Sequence, residues 1–109
     1  MKNKQSLSSC NLRPTRFCLS ILEILTKYGV NGMSLNALAE SLSQPKSTVH
    51  RYLKTLVDCG WVESVGSSKS MLWKPSSHFI KLAFSYRNAV REQVKAIEEE
   101  FKDLTGEEL

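Results

Sequence analysis

Lys46, Ser47, His50, Arg51 and Lys54 follow one another at spacings of 1, 3, 1 and 3, which places them on one stripe of a helix. Two ammonium groups, a guanidinium, an imidazole and a hydroxyl on one face are the donors that bind oxyanions and the acceptor edges of bases. Thr48 and Gln44 flank the stripe, and Ser34 and Lys69 add a hydroxyl and a cation from elsewhere in the chain. Each has a plainer reading. The charges can form a solvated helix face, Ser47 and Thr48 can cap a first turn, and His50 can be a polar surface residue. Likewise, Ser34 can be an N-cap and Ser67-Ser68-Lys69 an ordinary turn.

Catalytic chemistry finds no foothold. There are no paired carboxylates within one motif, no Ser/His/Asp or Cys/His arrangement and no glycine-rich phosphate loop, so no catalytic residue is nominated and no cofactor is expected. Cys10, Cys18 and Cys59 are three in number and widely spaced, with no C-x-x-C pair, and His78 is far from His50. No metal site is expected, and the cysteines read as reduced thiols in a cytoplasmic protein.

The charge of the whole chain supports an anionic partner. Its net value of +4 divides unevenly: residues 1–89 carry 12 Lys/Arg against 4 Asp/Glu, and residues 90–109 carry 3 against 7. A part at +8 attracts phosphate backbones, and a tail at −4 is repelled by them. The 109 residues, 41% apolar and 24% charged, are enough for one small core. No apolar run reaches the roughly 18 residues of a membrane span, and the polar start Met1-Lys2-Asn3-Lys4-Gln5 is unlike a secretory signal. No membrane partner is expected.

The elements that would position these residues follow from periodicity. Residues 1–13 are rich in Ser, Asn, Lys and Gln and read as a flexible arm. Phe17, Ile21, Ile24 and Tyr28, with Cys18, Leu22 and Leu25 alongside, predict a helix from Pro14 or Thr15 to Tyr28, ended by Gly29. Ser34 is placed to cap a short second helix carrying Leu35, Leu38, Ala39 and Leu42. Pro45 opens a third, recognition-type helix over Pro45 to Cys59, with Val49, Leu53 and Leu56 facing inward. Trp61 to Val65 and Ser70 to Lys74 are extended stretches joined by a turn at Gly66 to Lys69, and Trp61 and Trp73 read as core beneath that hairpin. After Pro75-Ser76-Ser77 a long helix carries Phe79, Ala83, Tyr86, Val90, Val94, Ile97, Phe101 and Leu104.

Helix, short helix, tight turn, helix and hairpin in that order make a winged helix-turn-helix followed by a long C-terminal helix, mainly α with a small β-hairpin. The domain is expected over residues 14–75, with a linker or dimerisation helix over 76–109. Ala39 lies four residues before Ser43, and Val49 ten after Ala39, where two helices that share a core must approach closely. In such a fold the third helix fits a major groove about 12 Å wide.

The run Pro45-Lys46-Ser47-Thr48-Val49-His50-Arg51-Tyr52-Leu53, continued by Lys54-Thr55-Leu56 and Cys59-Gly60-Trp61-Val62-Glu63, closely resembles the recognition helix and wing entry of the IclR family of bacterial transcriptional regulators. Ile21-Leu22-Glu23-Ile24-Leu25 is similar to the family's first helix, Leu35-Asn36-Ala37-Leu38-Ala39-Glu40 to its second, and Phe79-Ile80-Lys81-Leu82-Ala83 to the start of its linker helix. The sequence departs from the family pattern at Ser43-Gln44, where Gly-Leu is usual, and at Lys74, where Gly is frequent. The family's C-terminal effector-binding domain has no counterpart within these 109 residues, so no small-molecule effector is expected for this chain by itself.

The resemblance implies a sequence-specific regulator of double-stranded DNA, a repressor of bacterial or phage origin that is cytoplasmic and nucleoid-associated, with Gln44, Lys46, Ser47, Thr48, His50, Arg51, Lys54, Lys69 and Ser34 as the DNA-binding set. The seam Val94, Ile97, Phe101 and Leu104 can pack on the first helix of its own chain or on the same helix of a second chain; so long a helix on so small a domain favours the second, a homodimer. Two other readings of the same fold are a protein-interaction module and a non-specific DNA-binding protein; the +8 on residues 1–89 weighs against the first.

Overall fold

The computed structural model describes residues 12–109; the arm expected over residues 1–13 falls almost wholly outside them, as does Cys10. Helix α1 spans Arg13–Tyr28, with Pro14 in its first turn and Gly29 as its C-cap. It buries Ile21 and Leu25 completely. Tyr28, expected on the apolar stripe, is exposed. It is the last residue of the helix, one turn past Leu25, where no other element among the described residues covers it.

Helix α2, Leu35–Leu42, begins where the hydroxyl of Ser34 accepts a hydrogen bond from the Ala37 N–H at 3.1 Å, which satisfies one of the donors a helix start leaves open. It buries Leu38 and Ala39 and stops at Ser43 in the left-handed conformation. Helix α3 runs from Lys46 to Asp58 with Pro45 and Cys59 as its caps, and buries Val49, Leu53 and Leu56. The small Ala39, 7% exposed, and Val49 both lie in the shared core, as their spacing requires.

Strands β1, Val62–Val65, and β2, Leu72–Pro75, pair antiparallel with Val62 opposite Pro75 and Val65 opposite Leu72. The turn between them depends on Gly66, at φ +96°, where an added Cβ would lie 2.5 Å from the Ser70 carbonyl oxygen. Met33 exchanges two 2.8 Å backbone hydrogen bonds with Trp73 on the other edge of β2. This ties the wing to the segment that leads into α2. Trp73 is buried and Trp61 packs half-buried on the core, so both belong beneath the wing.

Helix α4, Ser77–Thr105, is 29 residues long and buries none of them. The chain divides into two compact units, the winged unit up to Phe79 and a second from Ile80 to Leu109. The division therefore falls four residues later than the expected boundary after Pro75. Ser76 explains the shift. Its hydroxyl donates to the Gly60 carbonyl at 2.6 Å and accepts from the Phe79 N–H at 3.0 Å. His78 and Phe79 then meet the Trp61 ring edge-on, with centroids 5.7 and 5.5 Å away. No helix among the described residues is long and apolar enough to cross a membrane.

Candidate nucleic-acid interface

At about 100° per residue, Ser47, His50, Arg51 and Lys54 occupy a single arc of α3 opposite buried Val49, Leu53 and Leu56, with Lys46 and Thr48 on its two sides. Lys46, Ser47, His50, Arg51 and Lys54 are all exposed, and Thr48 is half-buried. The face is therefore presented by the same periodicity that anchors the helix to the core. No side chain caps the start of α3, whereas Ser34 and Ser76 cap α2 and α4. The first N–H groups of α3 and its positive dipole end are thus open to an anion beside Lys46.

Two of these side chains are held by aromatic neighbours. The Arg51 guanidinium lies 5.9 Å from the centre of the Tyr52 ring, Tyr52 stacks on Phe17 at 5.9 Å, and Arg13 covers Phe17 at 5.7 Å. Such contacts limit the freedom that a long cationic side chain would otherwise lose on binding. His50 is set edge-on to Trp73, with ring centroids 6.1 Å apart and an interplanar angle of 88°. It therefore stands at the wing side of the face.

A cleft of about 610 Å³ opens there, lined by Ser34, Asn36, His50, Lys69 and Trp73 among others. It brings together three of the predicted residues from three different elements: α3, the wing turn and the α2 cap. The Ser34 hydroxyl is engaged as the cap, the plainer of its two readings. Lys69 is exposed in a turn closed by the Ser70 N–H on the Ser67 carbonyl at 3.0 Å. A second cleft of about 670 Å³, which shares Asn36 with the first, is lined by Asn36, Ser43, Gln44, Pro45 and Lys46. Gln44 is half-buried there, and its amide donates to the Ser43 carbonyl at 3.0 Å.

The sequence reading passed over Asn36 and Arg13. Asn36 is exposed in the first turn of α2 and borders both clefts; an exposed amide one residue after an N-capped leucine was the signal. Arg13 joins the Arg51 side of the face only through the Phe17–Tyr52 stack, which spacing along one helix does not reveal. From residue 12 to 79 there are eight Lys/Arg and four Asp/Glu, a net +4. Glu23 is already paired with Lys27 at 3.1 Å.

Among the described residues no group of three His, Cys, Asp or Glu side chains is placed to hold a metal ion. Cys18 and Cys59 instead line an apolar groove of about 560 Å³ with Leu19, Leu22, Trp61 and Phe79. Burial, reinforced by the nearby Cys59, pushes the Cys18 thiol above its usual value. The shift favours the protonated thiol at neutral pH.

Known proteins share this architecture. Pseudomonas aeruginosa HmgR superposes with a TM-score of 0.63 at 24% identity, over 87% of this chain and 40% of its own. Lactococcus lactis ZitR, in a point-mutant form, gives 0.53 at 18%, over 80% and 59%. A point mutant of S. aureus MepR bound to an oligodeoxyribonucleotide gives 0.55 at 16%, over 94% and 82%. The chain thus spans 59% of ZitR and 40% of HmgR, and at these identities the likenesses show the fold. No curated protein matches the sequence. A family model described as the IclR helix-turn-helix domain matches residues 18–66, which run from the inner face of α1 through α3 to the glycine that opens the wing turn. Residues 18–66 thus resemble an IclR helix-turn-helix domain.

Proposed function

We propose that this chain is a sequence-specific regulator of transcription that binds double-stranded DNA as a homodimer and represses by occupying its operator in the cytoplasm. One observation carries the reading: Ser47, His50, Arg51 and Lys54 share one exposed arc of α3, beside an uncapped helix start and opposite the core. Arg51 is the residue suited to a bidentate guanine contact, and Lys46, Lys54 and Lys69 to phosphates. His50, Ser34, Gln44 and Asn36 border the flanks where the backbone would pass. Ser47 and Thr48, at the start of the helix, contribute hydroxyls to a phosphate or a base edge. Val94, Ile97, Phe101 and Leu104 of α4 are the proposed dimer contacts.

Selection of bound sites from a random duplex library with the purified chain, at near-physiological salt, tests this reading. Enrichment of an inverted repeat with half-site centres one helical turn or a multiple apart is the expected result. Salt-sensitive binding without enrichment would replace it with a non-specific DNA-binding protein. Absence of DNA binding would favour a protein-interaction module.

A further inference from the structure

Val90, Val94, Ile97, Phe101 and Leu104 recur along α4 at spacings of 4, 3, 4 and 3, an apolar stripe about 21 Å long. Val90 is 44% exposed, Val94 48% and Ile97 57%, and only Phe101 is half-buried. The charges of the helix are sorted by end. From Ser77 to Ile97 it carries Lys81, Arg87, Arg91 and Lys95 against Glu92, and from Glu98 to Thr105 it carries Glu98, Glu99, Glu100 and Asp103 against Lys102, giving +3 and −3. Among the described residues the ion pairs within 4.0 Å are Lys27–Glu23 and Lys102–Glu108. The Lys95–Glu99 pair that i, i+4 spacing allows is not made, and Arg91 and Glu98 also have no partner among those residues.

These two patterns together fix a partner and a direction. In heptad terms Val94 and Phe101 take position a, and Val90, Ile97 and Leu104 take position d; Arg91 and Glu98 both occupy the flanking position e, seven residues apart on one side of the seam. A parallel partner in register would lay acidic end on acidic end and basic on basic, which costs free energy. An antiparallel copy reverses both. With Val94 set against the partner's Ile97, Val90 meets the partner's Phe101 at each end, and Arg91 comes beside the partner's Glu98 twice about the two-fold axis. We infer that α4 pairs antiparallel with α4 of a second copy of this chain, centred between Val94 and Ile97 and fastened by two reciprocal Arg91–Glu98 ion pairs. The inference rests on the proposed homodimer and adds its direction and register.

A charge-swap cycle on the full chain, read as the dimer dissociation constant by sedimentation equilibrium, tests it. Arg91→Glu and Glu98→Arg each turn two attractions into two repulsions, and each is expected to weaken the dimer by roughly tenfold or more. The double variant restores both pairs with reversed sign and is expected within about threefold of the parent. Circular dichroism of all three variants checks that α4 remains helical. Single variants that dimerise like the parent, or a double variant weaker than either single one, would overturn the antiparallel register and leave the homodimer standing. A parent chain monomeric at micromolar concentration would overturn both. DNA binding is read separately, in the library selection, so its failure cannot be confused with these outcomes.

Discussion

Ser43 holds φ 54° and ψ 45°, a left-handed conformation that costs a residue with a Cβ about 1–2 kcal/mol. It does so because the turn between α2 and α3 needs it: the Ser43 N–H bonds the Glu40 carbonyl at 3.2 Å, and the Gln44 N–H bonds that of Ala39 at 3.1 Å. The turn therefore keeps the geometry for which glycine is suited, although the sequence has Ser-Gln there. Ser43→Gly relieves the strain but frees the unfolded chain by about 0.5–1 kcal/mol, so a net gain of up to about 1 kcal/mol is expected, seen as a rise of a few degrees in Tm by calorimetry. A fall in Tm would assign the Ser43 hydroxyl a stabilising role. On the proposed DNA face, Arg51→Ala should cost roughly 1–3 kcal/mol and relax preference at one base position, whereas Lys46→Ala should weaken all sequences alike and lower the salt slope by about 1. Binding isotherms across a salt series separate the two. Identical effects from both variants would mean that Arg51 contacts phosphate and reads no base.

At the scale of elements, Ser76 joins the end of α3 to the start of α4 through one hydroxyl that both donates and accepts. Its side chain is buried, 7% exposed. Ser76→Ala removes the α4 cap and leaves the Gly60 carbonyl without that donor, which should destabilise the winged unit by about 1–2 kcal/mol. Chemical denaturation monitored by the fluorescence of Trp61 and Trp73 reads this directly, and an unchanged midpoint would show that water replaces the hydroxyl without loss. Most of the elements were legible because their periodicity is enforced by a shared core. Ile21 and Leu25, Leu38 and Ala39, and Val49, Leu53 and Leu56 are buried as their spacing requires. The exposed polar face of α3 was legible for the same reason, being the complement of a buried stripe. Contacts between elements were not. The edge-on meeting of His50 with Trp73 and the stack of Phe17 on Tyr52 depend on how separate segments cross, and Tyr28 follows the helical period of α1 beyond the reach of the core.

For the whole molecule, the proposed function gives each chain one winged unit for base and phosphate contacts, and the proposed α4 seam would then determine whether two such units act together. If each half-site is bound separately, the second unit must be captured from solution. In a dimer it is already present at a high effective concentration, and joint binding exceeds that of a single unit by about 10²–10⁴. Ile97→Glu buries a carboxylate at the centre of the proposed seam, opposite Val94 of a second copy, and should convert the dimer to a monomer. Ile97 is 57% exposed and lies in the second compact unit, so the Tm of the winged unit should be unchanged. The expected outcome is a pair of losses that differ in size: affinity for a full inverted repeat falls by about one hundredfold or more, while affinity for an isolated half-site stays within about threefold of the parent. Sedimentation and titration of the two duplexes measure both. Equal losses on the two sites would show that the substitution damages the reading unit itself, and no loss on the full repeat would show that α4 does not couple the two units.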